Sequence, residues 1–385
     1  MLGPAGSGKS TAVEVAIQNA AALGANVVIA CPTALLAFRY RLKFSNLDTD
    51  TLHGFICLHK TEIETLELLQ HVDLLVIDEI GQVPTWIFDR LLRLWDATER
   101  RTVIVLVGDF CQLRGADPTS VVDSPRWQAD VFKSHLRHMR RCKCSALKWK
   151  LELLRSSVPD ARNLRAILRN HRAPKHRAYG DRKKPNMQDT GQILIETPDT
   201  TLVTISRWAV NYLNGLIVRN IFGHRAPLAV LPGEPDTNLN NFHGSQQISW
   251  HPSELPIFEG MRVTITRNID KNKHFINGVS GVVTCMRRHG VEIELPDGRP
   301  LTIHRVHDYS PTGQALGPAY FPLRVGYATT LHKIQGSTLN HATIWLDVPY
   351  VKASAYVALS RVQYDKEWRF AGQLDQRHFR PADPA

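Results

Sequence analysis

The first hydrophobic pattern in the chain is typical of a helix. Val13, Ile17 and Ala20 recur at helical spacing, and Gly24 can end the helix because glycine readily adopts the left-handed conformation. A second helix is predicted at residues 84–95. Largely apolar runs, which predict buried strands, occupy residues 25–30, 72–77 and 103–107. This order of elements indicates a parallel sheet covered by helices.

The pattern changes near residue 260. Short segments between residues 260 and 303 alternate apolar and polar positions, and turn dipeptides such as Asn277-Gly278 and Asp297-Gly298 separate them. This alternation predicts a small antiparallel β-barrel or meander. Elsewhere we expect a basic helix at 147–168, the start of a second α/β domain at 202–215, an irregular insertion at 227–256 and a strand at 323–328.

Length and composition favour a globular protein of two or three domains. The chain has 385 residues, of which 43% are hydrophobic and 22% charged. No apolar run reaches the roughly eighteen residues that a membrane span needs. The six cysteines are scattered, which favours a reducing compartment.

Positive charge is concentrated in one block. Residues 131–185 hold 17 lysines and arginines against three acids, whereas the formal charge of the whole chain is +11. Such a block is typical of a surface that binds a polyanion. A solvated helix face or a linker is the alternative interpretation of the same charge run.

Residues 3–10 match the phosphate-loop pattern G-x-x-x-x-G-K-[ST]. Glycines in such a loop let backbone N–H groups point at phosphate oxygens, at the positive end of the following helix. Lys9 then reaches the β- and γ-phosphates of ATP, and the Ser10 hydroxyl ligates Mg²⁺. The residues that we expect to bind the nucleotide here are Gly3, Gly6, Ser7, Gly8, Lys9, Ser10 and Thr11. A glycine turn before a helix can match this pattern by chance. The motifs later in the chain therefore determine whether this segment is a phosphate loop.

Polar residues follow the two later apolar strands. Asp78 can hold Mg²⁺ through its water shell, and Glu79 can orient and deprotonate the water that attacks the γ-phosphate. The alternative is that this acid pair only caps the next helix. Gln112, after the strand at 103–107, can contact the γ-phosphate as a sensor.

The motif order resembles the first RecA-like domain of superfamily 1 helicases, specifically the Pif1-like and RecD-like group. That group has G-x-A-G-S/T-G-K-S, P-T, T-x-H-x-F, D-E-I and G-D-x-x-Q-L in this order. The matching segments are residues 3–10, 32–33, 51–55, 78–80 and 108–113. By this resemblance Pro32, Thr33, Thr51 and His53 contact the backbone of single-stranded DNA.

The second half of the chain carries further parts of the resemblance. Residues 330–339 look like T-x-H-K-x-Q-G-x-T-L, and residues 356–362 match Y-V-A-L-S-R-V. The resemblance implies that Arg361 is an arginine finger and that Gly336 contacts the nucleotide. Arg140 falls on the arginine of a further family motif, in which Arg141 replaces the usual glutamine. The implied DNA contacts in this half are His332, Lys333 and Thr338.

The family architecture implies an α/β fold with two RecA-like P-loop NTPase domains, each a parallel sheet with flanking helices, and a small SH3-like insertion in the second. The implied segments are 1–135 for the first domain, 136–200 for a basic helical linker, 201–259 with 311–370 for the second domain, 260–310 for the insertion and 371–385 for a tail.

The resemblance implies an ATP-dependent DNA helicase that translocates 5′ to 3′ on single-stranded or forked DNA. Its expected cofactors are ATP and Mg²⁺, and its expected roles lie in replication, repair, recombination and telomere maintenance. We expect an intracellular protein, monomeric without DNA, in the nucleus or mitochondrion of a eukaryote or the cytoplasm of a prokaryote or virus. The alternatives are a catalytically impaired, truncated nucleic-acid-binding protein and a P-loop enzyme, such as a kinase, acting on a small substrate.

Only Met1 and Leu2 precede the phosphate loop, whereas such a loop normally follows a buried strand. We therefore expect a fragment, or an N-terminally truncated gene model. Such a chain would lack this strand and the glutamine segment by which related helicases recognise adenine.

Overall fold

The computed structural model describes residues 1–56, 61–115, 117, 119–171, 184–185, 187–235, 252–270, 275–310, 313–315 and 317–382. The chain divides into two compact units. The first unit is Met1–Arg172 with Ile334–Ala385, and the second unit is Ala173–Lys333. Part of the predicted basic block, residues 172–183, lies outside the described residues.

Helices occur in both units. They are α1 Lys9–Ala22, α2 Ala34–Lys43, α3 Leu52–Ile56, α4 Glu62–Gln70, α5 Thr85–Ala97, α6 Pro125–Ala129, α7 Ser145–Ser156, α8 Ala161–Leu168, α9 Met187–Glu196, α10 Arg207–Ile217 and α11 Ser354–Leu359. Within the described part of the chain, no helix combines the length and hydrophobicity needed to cross a bilayer.

The strands are likewise distributed over both units. They are β1 Val27–Cys31, β2 Asp48–Thr51, β3 Leu74–Ile77, β4 Val103–Leu106, β5 Thr201–Thr204, β6 Ala229–Pro235, β7 Pro252–Ile257, β8 Arg262–Ile265, β9 Ser280–Arg287, β10 Gly290–Glu294, β11 Pro300–Ile303, β12 Leu323–Val325, β13 Ala328–Thr330, β14 Ala342–Trp345 and β15 Trp368–Phe370.

A parallel sheet of order β2-β1-β3-β4 forms the centre of the first unit. Alternate residues of β1 and β3 enter two separate hydrophobic clusters, because successive side chains of a strand point to opposite faces. Leu2 forms parallel bridges with Gly108 and His135, so the phosphate loop leaves the sheet beside the end of β4. The carboxyl ends of these strands meet at one edge, where the predicted ligand-binding residues follow them.

The two helices predicted at the amino end and at 84–95 are confirmed as α1 and α5. The prediction of a single helix at 147–168 is wrong. The structure divides this segment into α7 and α8. Pro159 lies between them and has no N–H to continue a helix. Asp160 caps α8 by accepting a hydrogen bond from the Asn163 backbone N–H at 2.7 Å.

The second unit contains the antiparallel sheet that the alternating pattern predicted, in the order β11-β10-β9-β8-β12. The expectation of an irregular insertion at 227–256 is wrong at both ends, because β6 and β7 pair there in antiparallel register. Separately, β5 pairs in parallel with β13, and in the first unit β14 pairs in parallel with β15.

The single strand predicted at 323–328 is also wrong. Its first part, β12, pairs antiparallel with β8, and β13 pairs in parallel with β5. Gly326 separates the two strands. A Cβ at this glycine would lie 2.8 Å from the Val263 carbonyl carbon, so only glycine allows the two backbones to approach so closely here.

Candidate nucleotide site

The phosphate loop lies at the amino end of α1, in the first unit. Gly6 and Gly8 have φ angles of 69° and 93°, in the left-handed region that favours glycine. A Cβ at Gly6 would lie 2.4 Å from the Cβ of Arg141. The helix begins at Lys9, so its first backbone N–H groups are available to an anion at this end.

Lys9 is buried at the base of this loop. Its ammonium donates to the Gly3 and Pro4 carbonyl oxygens at 2.8 and 3.0 Å. Burial lowers the pKa of Lys9, and the carboxylates of Asp109, Glu79 and Asp78 oppose that shift. The loop therefore surrounds a buried cation that has several acids nearby.

Asp78 follows β3, and its carboxylate accepts three hydrogen bonds. Its Oδ2 accepts from Tyr40 Oη at 2.8 Å and from Ser10 Oγ at 3.4 Å, and its Oδ1 accepts from the Glu79 backbone N–H at 2.8 Å. Burial raises the pKa of Asp78, and the hydrogen bonds from Tyr40 and Glu79 oppose this. A hydroxyl and a carboxylate side by side are oxygen ligands of the kind that Mg²⁺ prefers.

Glu79 lies next to Asp78 in a left-handed backbone conformation, with a φ angle of 54°. Burial and the neighbouring Asp78 carboxylate raise the pKa of Glu79 to about 7, although Arg361 and Lys9 oppose the rise. A carboxyl group whose pKa lies near neutral pH is suited to proton transfer.

Gln112 and Arg361 contact each other directly. Arg361 is only 1% exposed, and its Nη2 donates to Gln112 Oε1 at 3.0 Å and to Ser360 Oγ at 2.6 Å. Its Nε donates to the Val357 carbonyl oxygen at 3.0 Å. Burial and the nearby Arg141 lower the pKa of Arg361 to about 10, while Glu79 opposes the shift. The guanidinium therefore stays charged at neutral pH.

Arg140 and Arg141 both border the phosphate loop. Their backbone N–H groups donate to the Gly6 carbonyl oxygen at 2.7 and 2.8 Å. A Cβ at Gly8 would lie 3.4 Å from Arg140 Cδ. Arg141 Nη1 also donates to the Ser360 carbonyl oxygen at 3.0 Å. Arg141 therefore contacts both the phosphate loop and the segment next to Arg361.

These elements enclose a cavity of about 370 Å³. It is lined by the residues that we expect to take part in hydrolysis, and by every predicted nucleotide ligand except Gly3, whose carbonyl contacts Lys9 instead. The expected catalytic residues are Lys9, Glu79, Gln112, Arg140 and Arg361. The residues that line it are Ala5, Gly6, Ser7, Gly8, Lys9, Ser10, Thr11, Leu36, Asp78, Glu79, Gln112, Arg140, Arg141, Gly336 and Arg361.

Sequence reasoning missed several neighbours of this cavity. Asp109 is buried between Arg155, whose Nη2 donates to it at 2.9 Å, and Tyr356, whose Oη donates to it at 3.0 Å. Arg39 donates to Ser337 Oγ at 2.9 Å, beside Gly336. Asp109 and Tyr356 could have been found from the motifs, because they are the aspartate of G-D-x-x-Q-L and the tyrosine of Y-V-A-L-S-R-V.

The predicted DNA contacts of the first unit lie at the carboxyl edge of the parallel sheet. Cys31 at the end of β1 pairs with Thr51 at the end of β2. Thr33 follows Pro32 and caps α2 by accepting from the Leu36 N–H at 3.3 Å, whereas Thr51 Oγ1 accepts from the Gly54 N–H at 3.1 Å.

The other predicted DNA contacts are divided between the units. His53 packs edge-on against Trp86, with ring centroids 5.7 Å apart, and Thr338 is exposed. His332 and Lys333 belong to the second unit. Burial and the nearby arginines Arg324 and Arg207 lower the pKa of Lys333 to about 8.

Part of the basic block has internal partners. Lys150 is buried and donates to both carboxylate oxygens of Asp365 at 2.9 and 2.8 Å, beside a stacked pair of His171 and Trp368. Arg155 pairs with Asp109. These two cations are paired with acids inside the first unit, so the formal charge of the block overstates the charge available to a polyanion.

The sequence of this chain is similar to those of known proteins. Residues 1–175 match a family described as an AAA domain. Over 109 residues the chain is 31% identical to the ATP-dependent DNA helicase PIF1 of Homo sapiens, an alignment that covers 27% of this chain and 17% of that protein. It is 23% identical to the ATP-dependent DNA helicase Pif1 of Campylobacter jejuni, with 93% of this chain and 85% of that protein aligned.

Solved structures match nearly the whole chain. A Bacteroides Pif1 bound to single-stranded DNA aligns with a TM-score of 0.67 and 18% identity, over 98% of this chain and 89% of that one. The Pif1 helicase from Candida albicans aligns with a TM-score of 0.69 and 20% identity, over 99% of this chain and 92% of that one.

The chain therefore shares the fold of these solved Pif1 helicases.

Proposed function

We propose that this chain is an ATP-dependent DNA helicase that translocates along single-stranded DNA. One observation carries the proposal. Lys9, the acid pair Asp78 and Glu79, Gln112 and Arg361 line a single cavity, although they come from distant parts of the sequence. This set matches the parts that P-loop enzymes use to hydrolyse a nucleotide.

The residues of the cavity fit ATP with Mg²⁺. Ser7 Oγ is buried and has no hydrogen-bond partner among the described residues, which suits a site that awaits an anion. Mg²⁺ typically takes one or two protein oxygens together with phosphate oxygens and water, and Ser10 and Asp78 supply such oxygens. In the described residues, no group of three or more His, Cys, Asp or Glu side chains could form a separate metal site.

Bound ATP and Mg²⁺ would supply an activated γ-phosphoryl group. Lys9 and the loop N–H groups would hold the phosphates, while Ser10 and Asp78 would hold the metal ion. Glu79 accepts the proton of the attacking water. Gln112 and Arg361 stabilise charge that develops on the transferred group.

The finer assignments follow the family resemblance. We assign 5′-to-3′ polarity, activity on forked DNA, genome-maintenance roles, an intracellular location, a monomeric state without DNA, and the RecA-like and SH3-like domain boundaries given above. The DNA strand would contact Pro32, Thr33, Thr51, His53 and Thr338 in the first unit and His332 and Lys333 in the second. Solved relatives described as bound to single-stranded DNA or acting on forked duplex support this assignment.

A direct test compares ATP hydrolysis with and without single-stranded DNA, and strand separation on duplexes with a 5′ or a 3′ tail. We expect DNA-stimulated hydrolysis and unwinding from the 5′ tail. DNA binding without hydrolysis would favour the catalytically impaired alternative. Hydrolysis that DNA does not stimulate would favour a small-substrate enzyme.

The pH dependence of hydrolysis should follow Glu79. Its pKa of about 7 means that the carboxylate able to accept a proton accumulates as the pH rises through 7. We expect kcat/KM for ATP, at constant saturating Mg²⁺, to rise about tenfold between pH 6 and pH 8. Glu79→Gln should remove most of the activity and the pH step together. A step that persists in the residual activity of Glu79→Gln would assign the titration to another group.

The affinity for DNA should depend on the charge of Lys333. Its pKa of about 8 means that the ammonium is mostly charged at pH 7 and mostly neutral at pH 9. We expect affinity for single-stranded DNA to fall by up to about tenfold between these values, because a neutral amine attracts phosphate weakly. Lys333→Arg should flatten this pH dependence, since arginine stays charged. An equal decline in both proteins would show that Lys333 does not contact the strand.

A further inference from the structure

We propose that Tyr356 is a positioning residue whose hydroxyl fixes Arg361 relative to the phosphate loop. The inference rests on the proposed ATP hydrolysis and adds a residue to its machinery. Tyr356 itself does not line the cavity. Its effect on the reaction would therefore pass through the groups to which it is bonded.

Tyr356 connects two of the nucleotide-binding segments. It lies in α11 and is 1% exposed. Its Oη accepts a hydrogen bond from the Ala5 backbone N–H in the phosphate loop at 2.9 Å, and it donates to Asp109 Oδ2 at 3.0 Å. One hydroxyl therefore joins α11 to the phosphate loop and to the loop after β4.

Asp109 extends this connection towards the sensor glutamine. Its Oδ1 accepts from Arg155 Nη2 at 2.9 Å and from the Cys111 backbone N–H at 3.1 Å. Its Oδ2 also accepts from Gln112 Nε2 at 3.4 Å. Since the Asp109 carboxylate is fully buried, its orientation is set by these donors and by Tyr356.

The carboxyl end of α11 is attached to the same site. Arg361 donates to Gln112 Oε1 at 3.0 Å, and Arg141 donates to the Ser360 carbonyl oxygen at 3.0 Å. The helix is thus bonded near its start through Tyr356 and beyond its end through Arg361. Movement of α11 away from the loop would break both attachments, so the hydroxyl of Tyr356 helps to set where the Arg361 guanidinium lies.

Removing this hydroxyl is a small change with two defined consequences. Tyr356→Phe keeps the buried ring and its packing. It leaves the Ala5 N–H without its acceptor and the Asp109 carboxylate with one donor fewer. A role in packing alone would be retained by phenylalanine, whereas a positioning role would be lost.

Tyr320 provides a matched control in the second unit. It is also 1% exposed, and its Oη donates to Asp308 at 2.9 Å, an aspartate that is likewise paired with an arginine, Arg267. Tyr320→Phe therefore removes a tyrosine–aspartate hydrogen bond of similar length, although a less buried one, at a residue that does not line the nucleotide cavity. Comparing the melting temperatures of the two variants measures any general loss of stability.

We expect Tyr356→Phe to lower kcat for ATP hydrolysis by about tenfold to a hundredfold, with KM for ATP changed by less than about threefold. Tyr320→Phe should leave both constants within about twofold of the wild type. Equal kcat values for the two variants would overturn the proposal. A wild-type chain that does not hydrolyse ATP would overturn the proposed function as well, so the two failures are distinguishable.

A double-mutant cycle with Arg361→Ala tests the route of the effect. If Tyr356 acts by positioning Arg361, Tyr356→Phe should change single-turnover hydrolysis by less than about twofold in the Arg361→Ala background. A structural role independent of Arg361 would give the same fold-loss in both backgrounds. That additive result would overturn the proposal even if Tyr356→Phe alone is slow.

Discussion

Lys9→Ala is expected to reduce ATP hydrolysis to about one thousandth or less of the wild-type rate while sparing most DNA binding. The ammonium lies inside the phosphate loop, where it contacts the Gly3 and Pro4 carbonyls, and alanine leaves no cation there. Steady-state phosphate release measures the loss, and fluorescence anisotropy with a labelled single strand measures DNA binding.

Lys43→Ala is the matched control for this experiment. Lys43 lies on α2 in the same unit, its side chain is 57% exposed, and it pairs with Glu14. Its removal should leave hydrolysis unchanged, because exposed ion pairs contribute little. Unchanged turnover in Lys9→Ala would rule out the proposed mechanism. A parallel loss of DNA binding would mean that the lysine also supports the surface that holds the strand.

Arg361→Ala is expected to lower turnover by about 10³-fold or more if this side chain is the arginine finger. Arg361 is buried and contacts Gln112, so its guanidinium is fixed beside the sensor residue before any reaction begins. Arg361→Lys should recover little activity, because lysine keeps the charge but lacks the planar fork of donors. Single-turnover hydrolysis at saturating ATP separates this effect from weakened binding.

An exposed arginine controls for the loss of charge. Arg377 lies in the same unit, its side chain is 56% exposed, and it pairs with Asp375. Arg377→Ala should hydrolyse ATP at the wild-type rate. A mild effect of Arg361→Ala would move the finger role to Arg140 or its neighbour Arg141, both of which line the cavity.

Local patterns were sufficient to predict the parallel core of the first unit. The buried runs that became β1 and β3 are uninterrupted because both faces of a central parallel strand are covered. The phosphate loop and the acid pair could also be located, since their chemistry depends on a few neighbouring residues. The structure places the side chains of Lys9, Ser10, Asp78 and Glu79 around one cavity, as their motifs suggested.

Other features depend on partners that are distant in sequence. Asp109 and Tyr356 are separated by 247 positions, and neither residue indicates by itself that a buried hydrogen bond joins them. The division between β12 and β13 depends on which strand each segment meets, which the continuous apolar pattern does not specify. Pro159 is a local signal for the break between α7 and α8, whereas the pattern of the flanking residues alone predicts one continuous helix.

The hydrogen bond between Ala5 and Tyr356 joins residues that the ribosome makes at very different times. These residues are 351 positions apart. At about 5–20 residues per second, the ribosome would need roughly 18 to 70 s to make the second residue after the first. During that interval the nascent phosphate loop has neither its tyrosine acceptor nor Arg361. Stabilisation by nucleotide through these contacts is therefore restricted to chains whose synthesis has passed residue 361.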